Sequence, residues 1–234
     1  MKRPQLIPLE PTVGPSEALI VMGGGCGHAP GGMGGEAWRS LIRDLGWAGA
    51  IYQLQWDEEL NLTLGTLTQQ EPEAAIAHWN RCRNQFKRIG KSFLPKLIWE
   101  LNVATVSFWA IAHGTQVAYY GLRDWSEADI HLRDAVLLAG TVRRDRGKDW
   151  GRVANNLEGT LFNFYNTEDL MLKRFSQLLD WKRSPCGIKP IREERDRLLN
   201  IDATPRMTTA HYTPDNCRAI LTHTLKPHWR SQER

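Results

Sequence analysis

The chain has 234 residues, 41% hydrophobic and 24% charged, with 30 Lys and Arg against 26 Asp and Glu for a net charge of +4. That length fits one compact domain and that balance excludes a disordered chain. No run approaches the ~18–20 apolar residues of a membrane span, and the small net charge gives nucleic acid no footing. Ten tryptophans are an excess that composition alone leaves unexplained.

Pro4, Pro8, Pro11 and Pro15 punctuate the amino terminus, so residues 1–16 are expected to be a surface arm with no apolar signal-peptide core. A cytoplasmic protein that does not cross a membrane is the corresponding expectation. Cys26, Cys82, Cys186 and Cys217 form no Cys-x-x-Cys pair and read as reduced thiols, without a metal site. Residues 18–22 are an unbroken apolar run that stops at glycines, as in a parallel strand buried on both faces. Trp38, Leu41, Ile42 and Leu45 recur at i, i+3, i+4 and i+7, which predicts a helix from Gly35 that Gly46 ends. A second strand covers residues 50–56.

Residues 57–104 form the longest interval between strands and are expected to be a helical insertion. Within it Ala75, Ile76, Trp79, Cys82, Phe86 and Ile89 trace one helix face after Pro72, and Pro95 is expected to break or kink the chain before residues 97–101. Strands follow at 105–111, 135–139, 161–165 and near 198–201. Helices are predicted from about Thr115, over 148–157 and over 168–179. Thr213 and Pro214 announce a last helix, and residues 228–234 are expected to be a tail. This alternation predicts a single α/β domain, a three-layer sandwich with a mostly parallel sheet and helices on both faces. Functional groups in such sheets lie at the carboxyl ends of the strands.

At one such end the chain reads Ala110-Ile111-Ala112-His113-Gly114-Thr115. A buried strand turning at once into a helix between small residues is the layout of a nucleophile elbow, G-x-S-x-G. The nucleophile position holds Ala112, and a methyl group cannot attack a carbonyl. Ser107, in mid-strand, and Thr115, already in the helix, do not replace it.

Here the chain resembles the α/β-hydrolase superfamily over roughly residues 17–225. Its nearest likeness, carried by Val117-Ala118-Tyr119-Tyr120 in the elbow helix, is to the branch of transmembrane and coiled-coil domain hydrolase-like proteins. The resemblance implies the chain order nucleophile, acid, histidine. On that order Asp169, after the 161–165 strand, is the orienting acid, with Glu168 and Asp149 as fallbacks. His211, ahead of the last helix, is the general base. Oxyanion donors would be the N–H of His113 and that of Gly24 or Gly25 in the glycine-rich loop after the first strand. The implied activity is that of a serine hydrolase, esterase- or lipase-like, taking a small-molecule ester or lipid and needing no cofactor.

Two readings of Ala112 stay open. One is an active hydrolase whose serine has been replaced, leaving an inactivated variant; the acid, base and glycines are all in place, which favours it. The other is a natural pseudo-hydrolase that serves as a binding or interaction module. Weaker rivals exist for the neighbouring residues. Gly32-Met33-Gly34-Gly35-Glu36-Ala37, with Asp57 further on, fits a dinucleotide fingerprint but lies too far from its strand. Cys26 beside His28 lacks the helix terminus or fixed base of a reactive thiol. The basic run Arg143, Arg144, Arg146 and Lys148 reads as a solvated loop.

Overall fold

The computed structural model describes residues 2–24, 35–60, 62–179, 184–207 and 212–232. Seven strands form one sheet: β1 (Gln5–Glu10), β2 (Glu17–Gly24), β3 (Ala50–Gln55), β4 (Thr105–Ala112), β5 (His131–Leu138), β6 (Leu161–Tyr165) and β7 (Leu198–Asp202). Their spatial order is β1-β3-β2-β4-β5-β6-β7, parallel throughout except that β1 runs antiparallel to β3. The helices are α1 (Gly35–Asp44), α2 (Leu64–Thr68), α3 (Pro72–Arg88), α4 (Leu94–Trp99), α5 (Gly114–Arg123), α6 (Trp150–Asn155), α7 (Leu170–Leu178) and α8 (Pro214–Gln232). The protein is therefore the three-layer α/β sandwich that the alternation predicts.

Successive residues of the central strands feed two separate cores, which is why these strands read as continuous apolar runs. Ile20, Met22, Phe108, Ala110 and Leu137 face α3, α4 and α5, where they meet Phe86, Leu94 and Val117. Leu19, Val21, Trp109, Ile111 and Val136 face α1 and α8, where they meet Trp38, Leu41, Ile42, Leu221 and Leu225. This second face accounts for much of the tryptophan excess. Trp38 lies 5.6 Å from Trp109, Trp109 6.1 Å from Trp229, and Trp229 5.3 Å from Trp47, between ring centroids.

Three expectations are corrected. The proline-rich arm contains a strand, β1; Pro8 is tolerated because an edge strand leaves one side unpaired. Pro95 does not break the chain: residues 89–93 form a π-helical turn and Pro95 sits in the first turn of α4, where its missing N–H costs nothing. The tail expected at 228–234 is helical through Gln232, with Pro227 inside α8. An interior proline costs about 3 kcal/mol, offset by burial of Trp229, 2% exposed, and by His228 Nε2 on the buried Asp134 carboxylate at 3.1 Å. Ser107, set aside as a nucleophile, accepts a hydrogen bond from the Asp134 N–H at the β4–β5 irregularity.

The α8 end is thus core. Trp229→Ala should lower unfolding stability by about 3–5 kcal/mol, read as a fall in the urea midpoint; a frayed tail would leave the midpoint unchanged.

Candidate functional site

Ala112 is the last residue of β4 and takes φ +51°. This left-handed conformation costs an L-residue roughly 1–2 kcal/mol. Asn102, Ala139 and Asp149 also have positive φ, but Ala112 alone of the four joins a strand to an α-helix across one residue, His113. The turn is forced by close packing. A Cβ on Gly114 would lie 2.0 Å from the Met22 carbonyl oxygen of β2, so only glycine lets α5 start against that strand. Gly24, the end of β2, pairs directly opposite Ala112, which sets the expected oxyanion strand level with the elbow.

Two threonines lock the turn. Thr115 Oγ1 donates to the Ala112 carbonyl at 2.6 Å, and Thr141 Oγ1 donates to the same oxygen at 3.3 Å. The Thr141 N–H donates in turn to Thr115 Oγ1 at 3.0 Å. Thr141 follows β5 and carried no sequence signal, because its role exists only once β5 lies beside β4.

The His113 side chain is fully buried among Trp79, Phe86 and Phe175, with centroids 5.2, 5.6 and 5.3 Å away. Its Nε2–H donates to the Leu62 carbonyl at 3.1 Å, tying the 57–104 insertion to the elbow. Burial lowers its pKa to about 4, so the imidazole is neutral at pH 7. His113 is therefore a core side chain.

Asp169 lies just past β6 and is 3% exposed. Its Oδ1 caps α7 by accepting the Leu172 N–H at 2.8 Å. Burial pushes its carboxyl up to about 6, opposed by hydrogen bonds from the Leu172 and Met171 backbone and by Lys173. Both fallback acids are exposed, and Asp149 caps α6 by accepting the Arg152 N–H at 3.4 Å. β4 and β6 flank β5, so their ends are two strand spacings, about 10 Å, apart.

His211 and Gly25 lie outside the described residues, as do Cys26 and the glycines at 32 and 34. The residues flanking His211 are placed. Asn166 Nδ2 donates to Met207 Sδ at 3.8 Å, and Tyr212 Oη donates to the Phe164 carbonyl at 3.2 Å. Tyr212 is close enough to Asp169 for that carboxylate to help hold its hydroxyl proton on, behind the larger effect of burial. Cys82, Cys186 and Cys217 are buried free thiols, and burial pushes Cys186 and Cys217 up to about 12, far from a reactive thiolate. Among the described residues no helix is long and apolar enough to cross a membrane.

No protein-family model matches the chain, and no curated protein matches it. Solved structures do. An uncharacterised protein from Capnocytophaga ochracea is similar over 96% of this chain, at 12% identity and a TM-score of 0.46; the chain spans 59% of that protein's length. A cold-adapted esterase from an Arctic intertidal metagenomic library is similar at 14% identity and a TM-score of 0.47, over 96% of this chain and 92% of that one. A lipase-esterase related protein from Clostridium acetobutylicum is similar at 9% identity and a TM-score of 0.46, over 98% and 99%. At overlaps of this degree, function has to come from the geometry of this chain.

The elbow geometry makes Ala112 and Gly114 respond oppositely to substitution. Ala112→Gly should leave stability unchanged or raise it by up to about 1 kcal/mol, since glycine accepts positive φ. Gly114→Ala should lower it by more than about 2 kcal/mol, because the clash is with backbone; thermal unfolding of both variants measures the contrast.

His113 makes the fold acid-sensitive. Unfolded, its imidazole takes a proton near 6.5; folded, only near 4. Its contribution is fully present above pH 6.5 and falls by about 3 kcal/mol as pH drops towards 4. Urea unfolding from pH 7 to 4 should show this slope, and His113→Phe, which fills the same aromatic surroundings, should flatten it.

Proposed function

We propose that the chain is a member of the α/β-hydrolase superfamily built for Ser-His-Asp acyl transfer on an ester, with Ala112 marking the nucleophile position. The observation that carries this is the left-handed φ of Ala112 at the β4–α5 junction. An alanine held in a strained turn between a buried strand and a helix suits a position that must project its side chain, and packing alone would prefer glycine there.

With a serine at 112, its Oγ would attack the acyl carbon while His211 takes its proton and Asp169 orients the imidazole. The N–H groups of His113 and of Gly24 or Gly25 would hold the oxyanion. His211 would return the proton to the leaving alcohol, and water would then release the acid. Support for the acid–base pair comes from the anchors on either side of His211. Met207 and Tyr212 both bond to β6 and its end, within five residues of Asp169, and only four residues separate them. The likeness to the transmembrane and coiled-coil domain hydrolase-like branch rests on Val117 to Tyr120. The tryptophans that suggested a lipid are largely core residues, so an ester is the substrate class and acyl length is left to the assay.

One observation favours the second reading, a natural pseudo-hydrolase that binds without turnover. The Ala112 methyl is fully buried and packs within the apolar cluster under α1 and α8.

The test is Ala112→Ser assayed on p-nitrophenyl acetate, butyrate and octanoate and with a fluorophosphonate label. Turnover should rise by about 10³-fold or more over the Ala112 chain, with the label on residue 112, and His211→Ala should abolish the gain. A folded Ala112→Ser protein with neither turnover nor label would sink the hydrolase proposal and leave the binding module.

A further inference from the structure

A cavity of about 310 Å³ opens between α3, α5 and the loop after β5, next to the elbow but separate from it. Its volume is at the small end of the ~300–1,000 Å³ of small-molecule sites. Four cations converge on it: Arg83 and Lys87 from α3, and Arg143 and Lys148 from the loop. They reach it for a reason legible in the fold. Arg83 and Lys87 are one helical turn apart on the same face of α3, and the loop brings two members of the basic run Arg143 to Lys148 across from them.

The charges are poorly compensated. Arg143 has Asp145, Nε to Oδ2 at 3.2 Å, whereas among the described residues Arg83, Lys87 and Lys148 have no carboxylate within ion-pair distance. Lys148 instead lies over the rings of Tyr119 and Tyr120, and Lys87 over Tyr120. The floor adds a second, independent observation. Gln116 is 3% exposed; its Nε2 donates to the Thr141 carbonyl at 2.9 Å, while its Oε1 is buried with no partner among the described residues. A buried orphan acceptor costs roughly 1–3 kcal/mol and calls for a donor.

We propose that this cavity binds the phosphate group of a small soluble phosphate monoester. Two guanidinium forks and two ammonium groups match the oxygens and double charge of a phosphate, and the Gln116 Oε1 accepts from a hydroxyl of the same ligand. Crowding supports the site. Burial, followed by Arg143, Arg83 and Arg123, lowers the Lys148 pKa to about 8 against the pull of Asp145, so an anion placed among these groups relieves a repulsion already present. Thr141 lines the cavity and also bonds the Ala112 carbonyl, so an occupied site abuts the elbow. The proposal does not rest on acyl transfer, because binding is measured without turnover.

The test is isothermal titration of the full chain with sn-glycerol 3-phosphate, in parallel with inorganic phosphate, glycerol, and phosphatidylcholine vesicles with and without phosphatidic acid. Glycerol 3-phosphate should bind more weakly as salt rises, and glycerol not at all. Lys87→Gln, at an exposed position, and Lys148→Met should each weaken binding by about tenfold or more. Arg206→Gln, outside the cavity, should leave it unchanged, and thermal melts confirm that each variant is folded. Absence of binding to glycerol 3-phosphate, equal loss in the Arg206 variant, or binding confined to phosphatidic-acid vesicles would overturn the proposal. Inorganic phosphate binding as well as the ester would show that the phosphate group supplies most of the affinity, as proposed.

Discussion

The site depends on one steric constraint, the passage of α5 over the end of β2. Gly114 lies so near the Met22 carbonyl that no side chain fits between them. The chain leaving β4 has a single residue in which to change direction before that contact. Ala112 absorbs the turn in a left-handed conformation, and its carbonyl swings to where Thr115 and Thr141 can satisfy it. His113, next in line, is thrown to the α3 side, where its imidazole reaches Leu62. The strained alanine and the buried histidine are consequences of the same close approach, which the glycine permits.

The two faces of the sheet have been given different work. Under α1 and α8 lies a closed, tryptophan-rich core in which Trp38, Trp47, Trp109 and Trp229 stack edge to face or tilted. Such rings bury large areas in fixed geometry, and they hold α8 in register through Pro227. The opposite face carries the insertion, with α3 and its neighbours, and the basic cavity. Variation in residues 57–104 can therefore reshape what the site admits without disturbing the tryptophan core.

Burial shifts both His113 and Asp169 towards their neutral forms. His113 is neutral because desolvation outweighs its single hydrogen bond, and Asp169 retains its proton more readily than a free carboxyl because two backbone N–H bonds do not make good the lost water. The cations of the cavity show the converse: only part of their charge is matched by protein, and the surplus is positive. A cationic recess of this kind selects ligands by charge.

What the sequence determined by itself was whatever depends on local period and on residues close together in the chain. The apolar runs of β2 to β6, the stripe of α3, the Ala110 to Thr115 turn and the placement of Asp169 at a strand end were all legible, because strand burial and helix amphipathicity imprint on consecutive residues. Failures came where a distant neighbour sets the outcome. Pro8 read as part of a surface arm and residues 228–234 as a tail, yet an unpaired sheet edge tolerates the first and the packing of Trp229 keeps the second helical through Gln232. Arg143 and Lys148 read as solvated loop; only the loop's position across from Arg83 and Lys87 turned them into a cavity wall. Thr141, Leu62 and Gln116 carried no signal, because each acts through a partner at least 25 residues away. Propensity and pattern are properties of neighbours in sequence, whereas strain relief, orphaned acceptors and converging charge belong to neighbours in space, so the tertiary structure alone decided them.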